Sequence, residues 1–142
     1  MKRRSAIAWI IAFTLSGLPA FAGELTVTNA WSRTTPPGVT VGVAYFTLKN
    51  DTGKSDRLLK ISSPVASKVQ VHRTEILDGI ARMREVAVLH VDAGQTLEFA
   101  PNGMHVMLTG LKKPLVEGQK FDLELLFEVA GPRKVRVAVR KD

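Results

Sequence analysis

The 142-residue sequence contains no cysteine. Disulfide cross-links, thiolate-held structural zinc and thiol redox chemistry are excluded with it. A blue-copper electron-transfer centre is excluded too, since that site is built around a Cys thiolate. Beyond residue 22 there is no long apolar run, so the chain after that point has nothing to span a bilayer as a helix, which takes about 20 apolar residues. Gly-x-Ser-x-Gly, a phosphate-binding loop and His-Glu-x-x-His are all missing. Carboxylates are spread singly, and no pair of them invites acid/base work. No catalytic residue and no organic cofactor site is expected, and an enzyme is the class least supported.

What is present begins with a leader. Lys2, Arg3 and Arg4 precede an apolar stretch over 6–18, then Pro19 and the small-x-small triplet Ala20-Phe21-Ala22. That layout predicts a secretory signal peptide over 1–22, cleaved to leave a single domain over 23–142 and a periplasmic destination. The stretch is too short for a comfortable membrane anchor. No cysteine follows the cleavage site to take a lipid. The leader carries three of the positive charges, and seventeen Lys and Arg then face thirteen Asp and Glu. That surplus is modest and scattered without a dense basic block, which argues against nucleic acid as a partner.

After residue 23, short alternating segments are separated by Gly, Pro, Asn and Asp. Strands are expected over 25–31, 41–49, 58–62, 68–73, 82–91, 96–99, 105–109, 121–129 and 134–140. Breaks are expected at Pro36-Pro37-Gly38, 50–53, Asp78-Gly79, Pro101-Asn102-Gly103 and Ala130-Gly131-Pro132. Helical spacing is never sustained over three turns. Nine short strands at this spacing predict an all-β antiparallel sandwich or barrel.

Three His (72, 90, 105) and three Met (83, 104, 107) all fall between residues 72 and 107. Residues i and i+2 of a strand share a face. His105 and Met107 therefore project together with Thr109, while Met104, Val106 and Leu108 take the other face, which reads as core. The first set is expected at solvent or at a rim, so that alanine at 105 or 107 would leave the fold intact. Val69 and Val71 mark a buried face, which turns Gln70 and His72 away from it. Met83 stands between Arg82 and Arg84, a poor setting for a core residue. Any one of these residues alone would be read as a solvated His or as core padding. Together, two imidazoles and two thioethers make a neutral, soft donor set that favours Cu(I). Calcium and magnesium require oxygen donors, and zinc gains little from thioether. His90 is expected at the surface, and Met104 in the core.

The spacing is His72, ten residues, Met83, twenty-one residues, His105, one residue, Met107. This resembles the H-x10-M-x21-H-x-M signature of the PCuAC family of periplasmic copper chaperones, without gap or substitution. Ala30-Trp31-Ser32-Arg33, Pro36-Pro37-Gly38, Ala44-Tyr45-Phe46 with Asn50, and Asp56-Arg57-Leu58-Leu59 are similar to the family as well. So are the run from Pro101 to Leu108 and Gly110-Leu111-x-x-Pro114-Leu115-x-x-Gly118. The resemblance implies a cupredoxin-like Greek-key sandwich that holds one Cu(I) per chain through His72, Met83, His105 and Met107. It further implies delivery toward the copper centre of a respiratory oxidase, the recipient being an apo-oxidase subunit or another copper chaperone. An exported metal-free interaction module and a copper storage or tolerance protein are the alternatives.

Overall fold

The computed structural model describes residues 23–141; the leader assigned to 1–22 lies outside the described residues. Ten strands follow in chain order: β1 (Leu25–Arg33), β2 (Val41–Asn50), β3 (Asp56–Ser62), β4 (Ala66–Leu77), β5 (Ile80–Glu85), β6 (Leu89–Val91), β7 (Thr96–Glu98), β8 (Met104–Leu111), β9 (Lys120–Phe127) and β10 (Gly131–Arg140). They form one sheet in the order β5-β4-β8-β2-β1-β10-β9-β3-β6, with β7 on β2. Every pairing is antiparallel except β1 with β10.

Period-two patterning does most of the work. In β9 and β10, Phe121, Leu123, Leu125, Phe127, Val135, Val137 and Val139 are buried, and most of the residues between them are exposed. The sheet curls so that residues from both of its ends enter one core: Val71, Val106 and Leu108 from the β4–β8 end meet Leu58, Ile61, Leu89 and Val91 from the β3–β6 end. Closure is incomplete, and a cleft of about 460 Å³ stays open between β3 and the first half of β4.

The single strand expected over 82–91 is two strands. β5 pairs with β4 at one end of the sheet, and β6 pairs with β3 at the other. Val86–Val88 carry the chain across the open side, where the Val86 amide donates to the Val71 carbonyl at 2.8 Å. Hydrophobic alternation continues through the crossing, so the pattern alone does not mark it. The Asp78-Gly79 break is a two-residue hairpin loop. Both residues have positive φ, 52° and 76°, which is the backbone that a primed turn demands and that Asp-Gly supplies.

Two buried polar side chains fasten the loops. The Asn50 amide donates to the carbonyls of Lys54, Val91 and Asp92, and its oxygen accepts from the Thr52 amide and hydroxyl. Asp56, 4% exposed, accepts from the Arg57 and Val129 amides through Oδ1 and from Ala130 through Oδ2, at 2.7–2.9 Å. Burial pushes the Asp56 carboxyl pKa up, but the three amides and the nearby Arg133 charge outweigh it, and the net direction is down. Its contribution to stability is therefore present above the unfolded carboxyl value of about 3.9 and lost as pH falls through the lower folded value. Asp56→Ala leaves three amides without their acceptor and should cost about 3 kcal/mol in urea unfolding at pH 7. The difference from wild type should narrow below about pH 4; equal stability of the two proteins at neutral pH would contradict this role.

Candidate metal centre

The β4–β8 ladder sets His72 directly opposite His105 and Gln70 opposite Met107. On its other side, β4 sets His72 opposite Glu85 and Thr74 opposite Met83. Directly opposed residues share a face, and so do residues two apart. His72, Met83, His105 and Met107 therefore lie on one face of three adjacent strands. Met83 and Met107 are diagonal neighbours of His72, one on each side. Cβ atoms of directly opposed residues stand about 4.5–5.5 Å apart, and diagonal neighbours remain within reach of long side chains. The two imidazole rings have centroids 5.8 Å apart at 64°.

The face assignment from alternation holds for His72, since Val71 is buried and His72 only half so. Met83 is 61% exposed, in keeping with its place between two arginines. His105 departs from expectation. It lies on the face away from Val106 and Leu108, yet it is only 6% exposed. The same face carries Tyr45, two residues beyond Val43, which pairs with Met107. Tyr45 is 5% exposed, and Trp31 covers it at 4.7 Å between ring centroids. The Arg140 guanidinium in turn lies 4.1 Å above the Trp31 ring. Large aromatic side chains thus roof part of a face that has no second layer, and the expected tolerance of alanine at 105 gives way to the cost of opening a cavity. Alternation reports which way a side chain points, not what lies over it. Tyr45, Trp31 and Glu85 are neighbours of the site that the His/Met pattern did not single out. For Glu85 a signal existed, because it lies two residues from Met83 on the same strand.

Hydrogen bonding orders the imidazoles. His105 Nδ1 lies 3.1 Å from the Gly103 carbonyl. A carbonyl only accepts, so Nδ1 carries the proton, and in the neutral ring Nε2 is left with a free lone pair, the usual arrangement of a metal-binding imidazole. His72 Nδ1 is buried and makes no hydrogen bond. Burial first, then the nearby His105, lowers the His72 pKa; Glu85 pulls it up and Lys68 down. The neutral, coordinating form is thereby favoured. Among the described residues no three His, Asp or Glu side chains gather as metal ligands; the other soft donors on this face are the thioethers of Met83 and Met107. His90 is exposed and pairs with Arg57 on β3, at the far end of the sheet. Met104 is buried, with an Arg73 guanidinium nitrogen 3.8 Å from its sulfur.

Comparison with known proteins agrees with this architecture. The family described as "Putative lipoprotein LpqE-like" matches residues 25–139. The chain belongs to this PCuAC-type family. A Leifsonia xyli subsp. xyli protein that bears the same lipoprotein wording is 34% identical over 120 residues, covering 84% of this chain and 71% of that one. A Rickettsia prowazekii protein, RP573, is 31% identical over 129 residues, covering 88% and 71%. Among solved structures, the Cu(I)-bound DR1885 protein of Deinococcus radiodurans superimposes with a TM-score of 0.70 at 31% identity, covering 87% of this chain and 83% of that one. The copper-bound PCuAC domain of PmoF2 gives 0.71 at 24% identity, over 85% and 96%, a likeness of fold. The all-β, cupredoxin-like sandwich expected of the sequence is the fold of the family. Unlike a lipoprotein modified on a thiol, this sequence has no cysteine to carry lipid.

A buried nitrogen without a partner costs stability, by about 1–3 kcal/mol. His72→Leu should therefore leave the metal-free protein as stable as wild type or more so, by up to about 2 kcal/mol. Because the His72 pKa is lowered on folding, the unfolded chain takes up its proton more readily. Stability linked to this ring is full above about pH 6.5 and is lost as pH falls through the lower folded value. His72→Leu should flatten that acid limb in chemical denaturation followed from pH 8 to pH 4. A steeper limb in the variant would show that the ring is not held neutral.

Proposed function

We propose that the protein is an exported, non-catalytic copper carrier that holds one Cu(I) through His72, Met83, His105 and Met107 and passes it to a copper protein. The observation that supports this reading best is the convergence of two imidazoles and two thioethers on one face of β4, β5 and β8, with His72 Nδ1 buried and unpartnered. Family membership adds weight, since the related DR1885 structure is named for its Cu(I). The signal-like leader and the lipoprotein wording of the relatives favour a periplasmic setting. Among the described residues no helix is long and apolar enough to cross a membrane.

The donor set suits the cargo. Four neutral ligands leave only the charge of the metal, which a monovalent ion keeps small, and thioethers are soft partners for Cu(I). Glu85, opposite His72, supplies a nearby negative charge. The buried His105 and the half-buried His72 form the fixed side of the site, and the exposed Met83 the side open to exchange. Release by ligand exchange would then begin at a thioether. The proposed recipient is the copper centre of an apo-oxidase subunit, or a second chaperone that serves it.

The test is anaerobic competition titration of the purified protein with Cu(I), Ag(I), Cu(II) and Zn(II). One equivalent of Cu(I) or Ag(I) should bind tightly, and Zn(II) should not compete. His72→Leu and Met107→Ala should each weaken Cu(I) binding by more than the roughly 10–100-fold typical of outer-shell losses. Affinity should fall as pH drops below about 6.5, where protons compete for imidazole. Failure of the protein to bind Cu(I), or unchanged binding in the His72→Leu, Met107→Ala double variant, would leave an exported interaction module as the better reading.

A further inference from the structure

β5 is an end strand of the sheet, so among the described residues one of its backbone edges has no neighbouring strand. The other end strand, β6, is only three residues long, and short edge strands are a common protection against unwanted pairing. β5 is twice that length, and its guard consists of the charged side chains Arg82, Arg84 and Glu85. Its six residues are all exposed, it contains neither proline nor lysine, and its ladder with β4 runs from Ile80 to Glu85 without a bulge. An open, regular edge of this length is a ready template for another strand.

The two faces of β5 differ in chemistry. Ala81, Met83 and Glu85 lie on the face of the candidate metal centre, opposite Ile76, Thr74 and His72. Arg82 and Arg84 lie on the other face, opposite Glu75 and Arg73. That face carries three arginines and one glutamate, with Arg84 and Glu75 paired at 3.3 Å. The surplus charge on this face is positive, whereas the metal face of β5 carries Glu85.

We infer that β5 receives an extended, acidic segment of the metal-accepting protein as an added strand, with a Met or His of that segment opposite Met83. This rests on the carrier reading of the site. Side chains of an added strand alternate in face, and directly opposed Cβ atoms lie about 4.5–5.5 Å apart. The residue opposite Met83 therefore shares the metal face, and its two neighbours meet Arg82 and Arg84. The segment that fits reads acidic, soft donor, acidic. Main-chain hydrogen bonds provide the attachment, and the alternating side chains provide the selectivity. Transfer is then a ligand exchange within the new sheet: the bond from Cu(I) to Met83 Sδ breaks as a bond to the incoming thioether or neutral imidazole forms. No electron moves, and no proton is released.

The probe is a synthetic peptide, Glu-Met-Asp-Met-Glu-Met-Asp with blocked ends, titrated into the metal-free protein and followed by backbone amide exchange. Binding should slow amides within 80–85. Arg82→Glu should weaken the peptide by about tenfold or more through like-charge contact. A peptide with Lys at the acidic positions should bind the Arg82→Glu, Arg84→Glu double variant and not the wild type. Thermal unfolding of Arg82→Glu serves as the folding control. The inference is overturned by absence of binding, by binding without protection of β5, by equal affinity for wild type and Arg82→Glu, or by β5 edges that pair between two copies instead. No metal is present in this assay, so its failure leaves the copper titration standing, and a failed copper titration leaves the strand-docking result readable.

Discussion

The register between β4 and β8 is the constraint on which the candidate site depends. It places His72 across from His105, and it carries Met107 and, through β5, Met83 onto the same face. Side chains on a strand alternate strictly, so a slip of one residue would turn one imidazole to the opposite side of the sheet. What prevents the slip is the other face of the same strands. Val71, Val106 and Leu108 are buried in the core, and their burial fixes the imidazoles that point the other way. The hydrophobic core and the metal face are two sides of one pairing.

Burial across the site is graded. His105 is buried, His72 is half-buried, and Met83 stands in solvent on an edge strand. For a carrier of the kind proposed, that gradient would reconcile two demands: the less exposed imidazoles give a preorganised seat, and the exposed thioether gives a way out. The unpartnered His72 Nδ1 is consistent with the proposed role, as a stability cost that a bound ion would offset.

Much of this was legible in the residues. Period-two segments marked nine strand regions, and Asp78-Gly79 was recognisable as a turn because few residues adopt positive φ cheaply. Alternation placed His72 and His105 away from the core for a local reason that survives folding. Asn50 entered as part of a break and through family resemblance, and Asp56 through resemblance alone. Their work as loop fasteners depends on carbonyls and amides as far away as Val91 and Ala130, partners that no local pattern reveals.

The sequence by itself determined the all-β class, the donor chemistry and the direction in which His72, His105 and Met107 point, since these follow from residue type and from a two-residue repeat. Only the tertiary structure decided that 82–91 divides between opposite ends of the sheet, that His105 is buried, and that Met83 lies beside His72 on an edge strand. Strand order and cross-strand neighbours arise from contacts between residues distant in the chain. Alternation is blind to them, because every strand repeats the same period whatever lies beside it.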